Sequence, residues 1–394
     1  MRLGQKYLSL SLLYKNIYNW VPKVSIVRYC PNVSNNISLL FAFWFSTSIL
    51  NDYCLTFYLL CFLNEAFIIE IIKQKEGEIM FALDYYDTVT IPSASKDRPY
   101  IPVYAWQEAE YPKAIIHIVH GMSEFGGRYK KVAESFIAQN FLVIAHDHIG
   151  HGGLAKEHNR LGYFGTTDAG HIMVEDLHRV VQKTKEHYPD LPYYILGHSM
   201  GAYITRLYLG KYSQEIDGVL LSGTNTNSPL FATGAALAPI LNILHPDAYN
   251  YYIHQKLFGT GLSDDPSVAN SYPEYWYPPN NGEERDWPLV GFVFTNNGFA
   301  ELVKIAHKAT ITSWTRNIRK DLPIAIIAGR NDPLINGGKE TQKLAKELIR
   351  AGFEDATIMM FEDRGHECLM YGNTKPVYQM INNWFKKQLK TSSK

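Results

Sequence analysis

At 394 residues, 46% of them hydrophobic, the chain has room for one large α/β domain or two smaller ones, with a sizeable core. Lys+Arg and Asp+Glu number 38 each, so no net charge points to nucleic acid or an acidic polymer as partner. Cys30, Cys54 and Cys61 lie early and only Cys368 lies late, which excludes a disulfide within the C-terminal part and fits a reducing compartment or simple indifference to it.

Composition changes sharply near residue 80. Before it, Ile37 to Leu50 and Tyr53 to Leu63 are rich in Leu, Phe, Ser and Tyr, and together they are long enough to cross a bilayer. Asn51 and Asp52 interrupt that span, where a carboxylate is costly. Arg2, Lys6, Lys15, Lys23 and Arg28 precede it, so an inserted span would keep its N-terminus cytoplasmic. The apolar part starts too late for a signal peptide, and no small-residue cleavage site follows. A second reading starts from Lys75-Glu76-Gly77-Glu78-Ile79. These residues can be encoded by a purine-rich stretch resembling a bacterial ribosome-binding site just before Met80. On that reading Met80 is the native start and residues 1–79 are translated upstream sequence, which is the expectation here. A membrane anchor and an integral part of the fold are the alternatives. The expected location is cytoplasmic with membrane association, and membrane-anchored if residues 1–79 are genuine.

From Met80 onward, strands alternate with helices. Ala82 to Ile91 and Ile101 to Trp106 read as strands joined by a polar segment bracketed by Pro92 and Pro99. Ala114 to Val119 is a continuous apolar run, as a buried central strand requires, with His117 as a packed core residue. Tyr129 to Ala138 reads as a helix and Phe141 to Ala145 as a strand. Asp168 is expected to cap a helix running to His187, with Leu177, Val180, Val181 and Thr184 on one face. Further strands are expected at Tyr193 to Leu196, Gly218 to Leu221, Pro323 to Ala328 and Thr357 to Phe361. Helices are expected at Lys339 to Arg350 and at Pro376 to Leu389, the latter with Val377, Met380, Ile381 and Trp384 inward. This pattern predicts an α/β fold with a mostly parallel central sheet and helices on both faces. The core runs over 80–224 and 311–394. Between them, 225–310 breaks the alternation and is rich in aromatics, among them Tyr252, Phe292, Phe294 and Phe299. It reads as a helical cap with its own small core, whose aromatic surface receives an apolar substrate.

Gly197-His198-Ser199-Met200-Gly201 follows a strand and opens a helical pattern carrying Tyr203, Leu207 and Tyr208, the setting of a nucleophile elbow. A serine hydroxyl needs a base, and the base needs an orienting acid. In this architecture the order is serine, acid, histidine. Asp332 follows the strand ending at Ala328, and His366 follows the strand ending at Phe361, so all three lie just beyond strand C-termini. Asp363 is the alternative acid. The amide of Met200 and an amide of the loop His120-Gly121-Met122-Ser123-Glu124, that of Met122, are the expected oxyanion donors. His146-Asp147-His148 with His151 has the composition of a metal cluster but lacks the His-x-His-x-Asp-His spacing of binuclear zinc hydrolases. It is read as a tight loop shaped by Asp147, Gly150, Gly152 and Gly153. No metal or organic cofactor is implied.

The segment His120 to Tyr129, the Asp147-x-x-Gly-His-Gly152 loop and Gly-His-Ser-Met-Gly resemble the monoacylglycerol lipase and lysophospholipase group of α/β-hydrolases, related to the S33 serine aminopeptidases. The likeness extends from about Ala82 to Leu389 and is weakest in the cap. It implies an α/β-hydrolase fold, a triad of Ser199, Asp332 and His366, and an oxyanion hole from Met122 and Met200. It also implies that Glu124 and Arg128 organise the polar end of the substrate site. Two positions depart from it. Phe125 stands where the family often has histidine, and Leu369 stands where monoacylglycerol lipases carry a second histidine. Lysophospholipid, monoacylglycerol and simple esters therefore all stay open as substrates, with lipid-surface contact expected. An acyltransferase using the same triad, or a non-catalytic ligand-binding protein, are the rival readings.

Overall fold

The computed structural model describes residues 90–243, 245–258 and 289–392. The chain divides between Glu70 and Ile71, and every described residue belongs to the second unit. The readings of residues 1–79, of most of the strand begun at Ala82, and of Tyr272, Tyr275, Trp276, Tyr277 and Trp287 lie outside the described residues.

Among the described residues, seven strands form one sheet: β1 Val103–Trp106, β2 Ala114–Val119, β3 Phe141–His146, β4 Tyr193–His198, β5 Gly218–Ser222, β6 Ile324–Gly329 and β7 Ala356–Phe361. Their order is β1-β3-β2-β4-β5-β6-β7, with β1 antiparallel to β3 and every other pair parallel. β2 pairs with β3 on one side and β4 on the other. The chain thus reverses its direction of travel across the sheet at β2, and a crevice opens beyond the C-terminal ends of β2 and β4.

The helices are α1 Lys130–Ile137, α2 Gly152–Glu157, α3 Ala169–His187, α4 Met200–Tyr212, α5 Pro229–Ile243, α6 Tyr251–Phe258, α7 Asn296–Thr310, α8 Lys339–Arg350 and α9 Lys375–Ser392. The apolar runs in the central strands are continuous because helices cover both faces. In β2, Ile115 and Val119 join the core that holds α3 and α4, whereas Ile116 and Ile118 join the core against α1 and α9. Side chains alternate between the two faces with the period of a strand.

Several expectations shift. The first described strand begins at Val103 rather than Ile101, whose amide instead bonds the Ile91 carbonyl at 2.8 Å. Asp168 precedes α3, but its side chain makes no capping bond and lies 3.8 Å from Lys308 Nζ. Met380 is 42% exposed, while Val377, Ile381, Trp384 and Phe385 are buried. At 100° per residue Met380 lies roughly 80° from the centre of that buried stripe.

Residues 225–310 supply α5, α6 and α7, so the region is helical where it is described. Among its described aromatics, Phe231 and Phe299 line the cavity and the others named take different places. Phe292 and Phe294 are buried around His151, and Tyr252 faces outward. The cavity beneath is lined mainly by aliphatic side chains, including Leu230, Leu237, Ile240, Leu302 and Val303, with Phe231 and Phe299.

Candidate active site

β4 ends at His198, and Ser199 occupies the turn into α4 with φ 51° and ψ −118°. That left-handed backbone costs about 1–3 kcal/mol in a non-glycine residue and persists only where its surroundings enforce it. A Cβ on Gly201 would collide with the Val119 carbonyl, and one on Gly197 would lie 2.5 Å from Thr205 Oγ1. The turn is locked by the Ser199 amide on the Ser222 carbonyl at 2.9 Å and by Thr205 Oγ1 donating to the Gly201 carbonyl at 2.7 Å. Met200 is the first residue of α4, so its N–H has no partner within the helix and points outward from the helix start.

His366 lies in the loop after β7 and Asp332 in the turn after β6. His366 Nδ1 and Asp332 Oδ2 are 2.9 Å apart, and both residues are buried. The other oxygen, Oδ1, accepts from the Leu334 amide at 2.8 Å, so each carboxylate oxygen has its own partner. Burial opposes the charged form of His366, but Asp332, through charge and hydrogen bond, outweighs it and raises the imidazole above its ordinary value. Gly223, at φ 62°, passes so close that a Cβ there would lie 2.7 Å from His366 Cε1. Asp363 is exposed and 3.8 Å from Arg364 Nε, away from His366's ring partner.

Ser199 and His366 line one cavity of about 580 Å³, together with Met122, Glu124, His198 and Met200. The loop after β2 is held from three sides. Glu124 Oε1 accepts from the Gly121 amide and, at 2.9 Å, from the Tyr129 hydroxyl. Ser123, at φ 56°, donates its hydroxyl to the Phe292 carbonyl at 2.6 Å, and its own carbonyl accepts from the Gly291 amide at 2.7 Å. His120 Nδ1 meets the Gly121 carbonyl at 2.8 Å while Nε2 accepts from the His148 amide at 3.0 Å, so the ring is a neutral tautomer. Burial pushes its imidazole down to about 3.

Arg128 is buried below this loop and does not line the cavity. Its Nη1 reaches Glu124 Oε2 at 2.6 Å and Glu367 Oε1 at 3.2 Å, and its Nη2 donates to the Tyr371 hydroxyl at 2.8 Å. Glu124 and Arg128 thus act as one buried pair that braces the loop, with only Glu124 at the cavity. Phe125 is half-buried, edge-on to Tyr104. Leu369 is buried in the core against α1 and α9.

The histidine-rich loop after β3 is a brace. Asp147 accepts from the Gly126 amide at 2.8 Å and the Tyr104 hydroxyl at 3.0 Å, and burial raises its carboxyl to about 6. The His120 and His148 rings lie 4.2 Å apart, and His117 bridges Tyr193 and His146. Among the described residues no group of three or more His, Cys, Asp or Glu is arranged to hold a metal ion. Among the same residues, no helix is long and apolar enough to cross a membrane.

Sequence reasoning passed over Ser123, His198, Glu367 and the aliphatic wall of α5. The position of His198 inside the elbow motif was a usable signal. So was that of Glu367 directly after the histidine.

A family model described as serine aminopeptidase, S33, matches residues 110–371. The chain is 34% identical over 252 residues to a monoglyceride lipase homolog of Monkeypox virus, covering 60% of this chain and 78% of that protein. It is 32% identical over 169 residues to the monoglyceride lipase of Homo sapiens, covering 42% of this chain and 53% of that protein, about half its length. A solved carboxyl esterase from Bacillus coagulans shares the fold with a TM-score of 0.66 at 22% identity, over 76% of this chain and 98% of that one.

Proposed function

The chain belongs to the serine aminopeptidase S33 family and is a carboxylester hydrolase of the α/β-hydrolase fold; we propose that its substrates are single-chain lipid esters, lysophospholipid or monoacylglycerol, cleaved through an acyl-enzyme on Ser199. Ser199 Oγ attacks the ester carbonyl while His366 takes its proton and Asp332 stabilises the resulting imidazolium. The amides of Met122 and Met200 receive the developing oxyanion. His366 then protonates the leaving alcohol, activates a water, and the fatty acid departs as the serine is regenerated.

The observation that carries this reading is a single cavity. Ser199 and His366 stand at its floor and aliphatic side chains of α5 and α7 make its wall. The apolar wall suits an acyl chain, and the polar floor suits the ester. α5 holds no charged residue, and its Leu230, Leu237, Ile240 and Ile243 are exposed. That apolar face supports contact with a lipid surface from which the substrate is drawn.

Fatty-acid release from a monoacylglycerol and a lysophosphatidylcholine, with Ser199→Ala in parallel, tests the proposal. The substitution should lower kcat by roughly 10⁴-fold or more. A variant retaining near-normal release would overturn it.

A further inference from the structure

The polar groups around the nucleophile are almost all committed to partners. Asp332 uses one oxygen on His366 and the other on Leu334, and Glu124 uses both on Gly121, Tyr129 and Arg128. Glu367 differs. It lines the cavity, is 7% exposed, and spends only Oε1, which accepts from Arg128 Nη1 at 3.2 Å and lies 3.7 Å from His198 Nε2. Glu367 Oε2 is buried without a protein hydrogen-bond partner, and so is Nδ1 of His198, which lines the same cavity. Burial raises the Glu367 carboxyl, but the Arg128 guanidinium and then His198 outweigh it and bring it down to about 2, so it is ionised at neutral pH.

A buried carboxylate oxygen is costly to leave unmet, and a ligand that brings a donor to it gains accordingly. The same charge works against an anion. Among the described residues no lysine or arginine lines the cavity, and the Arg128 donors reach Glu124, Glu367 and Tyr371 behind its wall. A phosphate seated beside Ser199 would lose its water and face a carboxylate with no cation in contact.

We propose that Glu367 selects the alcohol half of the ester: its free Oε2 accepts a hydrogen bond from a hydroxyl of an uncharged head group, His198 gives a second polar contact, and the carboxylate turns phosphate-bearing heads away. This rests on the ester-hydrolase reading and narrows it. A site built to hydrogen-bond a hydroxyl rejects the analogue that lacks it.

The test uses the full chain and three esters of one fatty acid: a monoacylglycerol, the propyl ester without free hydroxyls, and the lysophosphatidate. Wild type should show kcat/KM at least tenfold higher for the monoacylglycerol than for either of the others. Glu367→Met removes the acceptor while Glu124 and Tyr371 still hold Arg128, and it should cut the glyceryl-to-propyl ratio at least tenfold. Glu367→Gln keeps an acceptor without the charge. It should retain more of that ratio and raise lysophosphatidate hydrolysis relative to monoacylglycerol at least fivefold. Because these are ratios, a change in His366 basicity common to all esters cancels. Equal wild-type rates on the glyceryl and propyl esters, or a ratio unmoved within twofold in a folded Glu367→Met, would overturn the role of Glu367 alone. Hydrolysis of neither neutral ester by wild type would overturn the ester-hydrolase reading and this inference with it. The wild-type series decides the matter even if a variant fails to fold.

Discussion

The floor and the cap wall of the cavity are built to opposite rules. On the floor, position is enforced atom by atom. Ser199 is held in a strained turn by glycines that leave no room for a Cβ, and Asp332 uses each oxygen for a separate bond. On the cap side, α5 contributes Leu230, Leu237 and Ile240 with no charged residue along its length. Proton transfer and oxyanion stabilisation depend on geometry to a fraction of an ångström, whereas holding an acyl chain asks only for apolar volume. The two regions meet at Ser123, where the loop after β2 bonds to the chain at Phe292 and Gly291.

Breaking the floor should have the larger effect. Asp332→Asn keeps the volume but presents the wrong partner to His366 Nδ1, and should lower kcat roughly 10⁴-fold. Its pH dependence has a definite sign. The Asp332 carboxylate favours the imidazolium and so raises the pKa of His366. Without that charge the proton leaves at lower pH, so the acid limb of the residual kcat/KM profile should move to lower pH. A limb that stays in place would mean that the titrating group is not His366.

Altering the cap should act on lipid access. Ile243 is 78% exposed at the end of α5 and does not line the cavity. Ile243→Glu should weaken binding to phosphatidylcholine vesicles by roughly tenfold, the loss expected for withdrawing one large aliphatic side chain from lipid. Hydrolysis of a dissolved short-chain ester should be unchanged. Sedimentation with vesicles and a soluble-ester assay distinguish the two, and unaltered sedimentation would separate the exposed face of α5 from lipid contact.

The difference between floor and cap also governs what the sequence discloses. The strands carrying the floor read to within a residue or two, because strands covered on both faces are apolar without interruption, as from Ala114 to Val119. The elbow is marked by its local Gly-x-Ser-x-Gly spacing, and Asp332 and His366 by their places just beyond strand ends. α5 is not legible as the aliphatic wall of the cavity. Its residues Pro229–Ile243 are apolar around the whole circumference, so no amphipathic period marks its inner face, and Pro239 interrupts the pattern. Ser123 reaches its partner 169 residues away, a pairing no local pattern encodes. The free oxygen of Glu367 becomes visible only once the contacts around Arg128 are traced in three dimensions. Met380 and Asp168 mark the opposite error, plausible local signals that tertiary packing left unused.

The central claim is that Ser199 is the nucleophile of an acyl-enzyme, and covalent labelling tests it most directly. Intact-mass and peptide mass spectrometry after treatment with an alkyl fluorophosphonate should show one adduct per chain, located on Ser199 and absent from Ser199→Ala. An adduct on another residue, or none on folded protein, would contradict the account.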